Sequence, residues 1–140
     1  MNFHAEVERV FSIDRPTMWT LWTDEEHAAR WLRPSITEFE PTIASIDPRP
    51  SGAYRFEMIG KDGSVRAVSG QFVEVDEPRR LVFTWSWEDS EEESLVEVML
   101  SEVRDGTKVR ISHTRLDSQE SAEQHEDGWV GCLASITHLA

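Results

Sequence analysis

The chain has 140 residues, 39% hydrophobic and 29% charged, the balance of an ordinary globular domain long enough to bury a substantial core. Its 27 acidic and 14 basic residues give a formal net charge of −13, which argues against nucleic acid as a general partner and disfavours anionic membrane surfaces. Cys132 is the single cysteine, so no intrachain disulfide is possible, and no apolar run reaches membrane-spanning length.

The first stretch, MNFHAEVERVF, alternates polar and apolar residues, which predicts a half-buried strand over Phe3 to Phe11 and not a secretory leader. Phe3, Ala5, Val7 and Phe11 share its apolar side. A cytoplasmic location is the expectation. Asp14 and Pro16 then suit the start of a short helix through Met18, Trp19, Leu21 and Trp22. Thr23-Asp24-Glu25-Glu26 has the spacing of a capping box, so a second short helix is expected there, carrying Ala28, Ala29 and Trp31. Arg33-Pro34 ends it.

Four prolines between Pro34 and Pro50 leave room for one short strand around Ile43 to Ile46. The alternation then sharpens. Tyr54, Phe56 and Met58 face one way, and Gly60-Lys61-Asp62-Gly63 predicts a hairpin turn. Val65 to Val75 reads as a long strand with a bulge at Gly70. After a turn at Asp76-Glu77-Pro78, Leu81, Phe83, Trp85 and Trp87 share one strand face. Leu95 to Val103 and Thr107 to Thr114 form the last pair, joined at Arg104-Asp105-Gly106.

From Ser118 to Ala140 the period changes to that of a helix. His125, Trp129, Cys132, Leu133, Ile136 and Leu139 make one apolar stripe, with Ser118 or Ser121 as the N-cap. Gly128 lies mid-helix at a cost of roughly 1 kcal/mol against Ala, which implies either a close backbone neighbour or room for something beside Trp129. No internal repeat or linker interrupts residues 1–140, so a single domain is expected. Its class is α+β: a curved antiparallel sheet of six to seven strands around one long C-terminal helix, with two short helices after the first strand.

Several local signatures point further. They are Trp22-Thr23-Asp24 leading to Trp31, Gly52-Ala53-Tyr54-Arg55-Phe56, and Asp62-Gly63 followed by Gly70. After them come Pro78 to Trp85 (PRRLVFTW), Gly106-Thr107, His113, His125 and Gly128-Trp129. In this order they resemble the helix-grip superfamily (SRPBCC) that includes the birch pollen allergen, StAR-related lipid-transfer domains and polyketide cyclases. Within it they are similar to the branch of the C-terminal domain of the activator of heat-shock-protein-90 ATPase. Ala53 departs from that branch, which usually has a second glycine there. The resemblance covers nearly the whole chain and implies the helix-grip fold, but folds of this kind serve unrelated tasks.

A curved sheet around one helix can leave a cavity, the usual place for a small apolar ligand. The expected lining is Trp31, Tyr54, Phe56, Met58, Trp85 and Trp87 from the short helices and strands, His113 from the last strand, and Trp129 and Leu133 from the helix. The same aromatics also serve as plain core. His113 shares a face with Val109 and Ile111. It is the weak catalytic candidate, an acid or base near neutral pH, or else a buried neutral histidine held by hydrogen bonds. The acidic run Glu88, Asp89, Glu91, Glu92, Glu93 reads as a solvated hairpin loop. No ligand spacing for a metal is present, and no phosphate cradle or nucleophile elbow, so neither metal nor cofactor is expected.

Three functions stay open. One is binding of a small hydrophobic or aromatic molecule in the cavity. Another is an enzyme of cyclase or hydrolase type using His113 there. The third is a chaperone-activator-like interaction module, with a protein partner or a homodimer.

Overall fold

The computed structural model describes residues 3–139. Strand β1 (Phe3–Phe11) leads into helices α1 (Arg15–Thr23) and α2 (Glu25–Trp31). Six strands follow: β2 (Ile43–Ile46), β3 (Ala53–Ile59), β4 (Val65–Asp76), β5 (Arg80–Trp87), β6 (Ser94–Val103) and β7 (Gly106–Leu116). Helix α3 (Gln119–Ile136) ends in a 3₁₀ turn over Thr137–Leu139. The seven strands form one antiparallel sheet in the order β1-β7-β6-β5-β4-β3-β2. The expected α+β class and element order are therefore present. The expected long helix stops at Ile136, four residues short of Ala140, which lies outside the described residues.

Period-two alternation does what the pattern required. Tyr54, Phe56 and Met58 of β3, Leu81, Phe83 and Trp85 of β5, and Val109, Ile111 and His113 of β7 are all buried. They meet Trp129, Leu133 and Ile136 of α3 in one core, with Met18, Trp22 and Trp31 of the short helices closing one side. Helix α3 runs nearest to β1 and β7.

Two local expectations shift by a residue or more. Asp24, not Thr23, caps α2: its carboxylate accepts the His27 N–H at 3.2 Å, while the Thr23 hydroxyl turns back to the Trp19 carbonyl at 2.8 Å. Asp also outranks Thr as an N-cap, so the stronger acceptor took the position. The register shift in β4 falls between Phe72 and Glu74, not at Gly70. Gly70 answers a different constraint, because a Cβ there would stand 2.2 Å from the Thr84 carbonyl oxygen of β5.

The helix glycines divide their tasks in a way the stripe did not reveal. A Cβ on Gly131 would meet the Pro34 carbonyl oxygen at 2.0 Å, so the close backbone approach sits there. A Cβ on Gly128 would meet nothing within 4 Å. Gly131→Ala should therefore destabilise by about 1–3 kcal/mol, since helix and loop must separate. Gly128→Ala should instead stabilise by about 0.5–1 kcal/mol. Urea titration of the two variants checks the pair, and equal effects would refute this division.

Candidate functional site

Strand β7 directs His113 inward, where it is fully buried. An indole nitrogen can only donate. The Trp129 Nε1–H therefore donates to His113 Nδ1 at 3.0 Å, which leaves the ring proton on Nε2. That Nε2–H donates to Ser94 Oγ at 2.8 Å, and the Ser94 hydroxyl donates to the Trp85 carbonyl at 3.0 Å. Burial, together with nearby His125, pushes the imidazole down to about 3. Both ring nitrogens are occupied by protein, so His113 offers no free lone pair to a substrate near neutral pH. The weak catalytic candidate is, in this geometry, a bolt between sheet and helix.

A second Trp–His pair lies beside the first. Trp87 Nε1–H donates to His125 Nε2 at 3.0 Å, and the two imidazoles stand 4.6 Å apart, edge to face. With Nε2 accepting, His125 Nδ1 carries the proton and donates to the Ser121 carbonyl at 2.8 Å. The Ser121 hydroxyl donates to the Glu92 carboxylate, with both oxygens at 2.9 Å. Serine, histidine and carboxylate thus meet, but without the order that nucleophilic catalysis needs. The one bare nitrogen of His125 faces Trp87, not Ser121.

Above these pairs opens a cleft of about 560 Å³, within the usual range for small-molecule sites. It lies between α3 and strands β3, β4 and β5. Met58, Trp85, Trp87, Trp129 and Cys132 give it an apolar floor and wall, and Gly128 leaves the helix side open. Burial pushes the Cys132 thiol up to about 12, so it is no nucleophile. Pro34 and Phe39 close one end, and the β5–β6 loop brings Ser90 and Glu92 to the other.

Of the residues expected to line a cavity, Met58, Trp85, Trp87 and Trp129 border this cleft. Trp31, Tyr54, Phe56, His113 and Leu133 lie in the packed core beneath it. Trp31 donates its N–H to the Leu21 carbonyl at 2.7 Å, and the Tyr54 hydroxyl donates to the Thr84 carbonyl. Tyr54 also packs among Phe56, Phe72 and Phe83, which fills the space an enclosed cavity would need. Among the described residues, the buried Nε1–H groups of Trp22 and Trp85 have no partner.

The acidic loop is more specific than a solvated run. Glu88 forks onto Arg55 at 2.9 and 3.1 Å, and Asp89 onto Arg66 at 3.1–3.4 Å. Glu92 also accepts the Asp117 N–H at 2.8 Å, across the start of α3. No sequence spacing signals these contacts, because Glu92 lies 25 residues from Asp117 and 29 from Ser121. Arg66 in turn lays its guanidinium over the Trp87 ring, 4.0 Å from the centroid.

Residues 13–140 match the model of the family described as "Activator of Hsp90 ATPase homolog 1-like protein". The chain belongs to that family. Solved structures with the same fold include a protein from Chromobacterium violaceum, at 20% identity over 97% of this chain and 95% of that one, TM-score 0.83. An AHSA1-like protein from Aeromonas hydrophila is 25% identical over 95% and 88%, TM-score 0.79. An HSP90 activator from Plasmodium falciparum is 22% identical over 92% and 87%, TM-score 0.69. No curated protein matches the chain. Among the described residues no helix is long and apolar enough to cross a membrane.

The His113 environment predicts a pH dependence. Its imidazole protonates near 6.5 when exposed and at about 3 when folded. Between those values the unfolded chain holds more protons, so stability should fall as pH drops through that window. The slope from this group approaches about 1.4 kcal/mol per pH unit. His113→Gln should lose this component in urea titrations run from pH 7 to 4. Titration of the His113 ring itself near 6.5 in the NMR spectrum of the folded wild type would contradict the assignment.

Proposed function

We propose that this protein binds a small apolar or aromatic molecule in the cleft between α3 and strands β3 to β5. The observation that carries this reading is an open space of about 560 Å³ walled by three indoles. Trp87 is the half-exposed indole of that wall, while Trp85 and Trp129, 4% and 3% exposed, form its floor from the core. Burial of apolar ligand surface, at roughly 25 cal/mol per Å², would supply most of the affinity, less the cost of ordering the ligand. Gly128 is the other support, since a residue that costs helix stability and contacts nothing there keeps the mouth clear.

A cyclase or hydrolase reading finds less support, because neither His113 nor His125 has a nitrogen available as a base. A chaperone-activator role has one specific observation in its favour: the likeness to the HSP90 activator of Plasmodium falciparum.

The test is a thermal-shift and calorimetry screen with isoprenoids, aromatic polyketides and fatty acids. It compares wild type with Gly128→Phe, which fills the cleft without touching the core, and Trp87→Ala. A compound that stabilises wild type should bind Gly128→Phe at least about tenfold more weakly, or about 1.4 kcal/mol. Unchanged binding in both variants would put the ligand elsewhere. No binding by any compound, together with a pull-down of an Hsp90-type chaperone, would favour the activator role.

A further inference from the structure

We infer that the cleft selects an organic cation, an apolar or aromatic body carrying an amine or quaternary ammonium, over fatty acids and other anions. This deepens the ligand-binding reading above and rests on it. The cleft wall is apolar, but its rim is acidic: Glu92, Asp117, Glu120 and Asp127 all border it. Among the described residues none of these four carboxylates forms an ion pair. Among the described residues Arg66 is the one Lys or Arg on the lining, and Asp89 already pairs with it. An anionic headgroup would therefore face four unpaired carboxylates, with the Arg66 guanidinium already engaged by Asp89.

The aromatic wall already holds one cation of the chain. A ring face is the negative end of its quadrupole and attracts cations. Arg66 stacks on Trp87 at 4.0 Å, so this indole holds the chain's own cation at the edge of the cleft. Trp85 packs edge to face on Trp87, with centroids 5.6 Å apart, and Trp129 stands 5.1 Å beyond Trp85. A ligand's aromatic body would lie against this wall while its ammonium meets the carboxylates of the rim.

The rim is also under internal repulsion. Burial raises the Glu92 carboxyl, but donors from Asp117 and Ser121 more than offset it and hold the group below its ordinary value. Its contact with Glu92 pushes the Asp117 carboxyl up. A cation would relieve that crowding. A metal ion fits less well, because among the described residues no three His, Cys, Asp or Glu side chains converge as a metal-holding group. The net charge of −13 adds long-range attraction for cations.

Three probes of one shape separate the possibilities: 1-naphthylmethylammonium, 1-naphthylmethanol and 1-naphthoate, each titrated by calorimetry at low and raised sodium chloride. The ammonium should bind about tenfold more tightly than the alcohol, and the naphthoate most weakly. Raised salt should weaken the ammonium alone. In Asp117→Asn/Glu120→Gln/Asp127→Asn, three exposed rim positions, the ammonium should fall toward the alcohol while the alcohol is unchanged. Equal binding of all three probes would overturn the cation inference and leave the ligand-binding reading standing. Binding of none would overturn both. A cation preference that survives the triple variant, or that calcium chloride abolishes at matched ionic strength, would also overturn it.

Discussion

Everything above the sheet depends on how α3 is attached to it, and the decisive contact is the hydrogen bond from Trp129 to His113. A helix held only by apolar stripes can slide or rotate at little cost, since burial is not directional. The string Trp129–His113–Ser94–Trp85 removes that freedom, because each donor has one acceptor and the string lies wholly in the core. Breaking it would strand a buried imidazole, which costs more than the bond itself contributes. The second pair, Trp87 with His125, repeats the arrangement nearer the surface. Two indole-to-imidazole bonds, one donor from the helix and one from the sheet, set both the rotation and the height of α3.

That attachment explains why a cleft exists where it does. Gly131 lets the helix touch the Pro34 backbone, and β1 and β7 support its other flank. Between these anchors Gly128 faces open space, and β3 to β5 curve away beneath it. The interior below is packed by Tyr54, Phe56, Phe72 and Phe83, so the open volume lies at the side of the helix instead of being enclosed by the sheet. The same histidines that hold the helix are thereby used up as chemical groups. A buried His bonded at both nitrogens gives rigidity and forgoes acid–base chemistry.

The surface around this opening is not a generic acidic coat. Glu88 and Asp89 are matched with arginines of β3 and β4, while among the described residues the rim carboxylates of the cleft form no ion pair. Exposed ion pairs contribute little to stability, so the difference bears on what approaches the cleft more than on how firmly the domain folds.

What the sequence alone determined was the set of elements and their buried faces. Leu81, Phe83 and Trp85 alternate, Trp129, Leu133 and Ile136 recur at helical spacing, and these periods reflect backbone geometry that each segment carries by itself. Tyr54, Phe56 and His113 were legible as inward-facing for the same reason. The site was not, because it is assembled from residues far apart in the chain. Glu92 meets Ser121, Trp87 meets His125, and Arg66 meets Trp87 only once strand register and helix rotation are set. A period can say that His125 lies on the apolar stripe. It cannot say that His125 stands at the stripe's edge, with its ring accepting a hydrogen bond from the sheet. Likewise the period identifies two helix glycines but not which one touches Pro34, since a distance between separate segments has no local signature. Whether an aromatic residue becomes core or wall was decided by tertiary packing alone, where the sheet's curvature and the anchoring of α3 filled one side of Trp129 and left the other open.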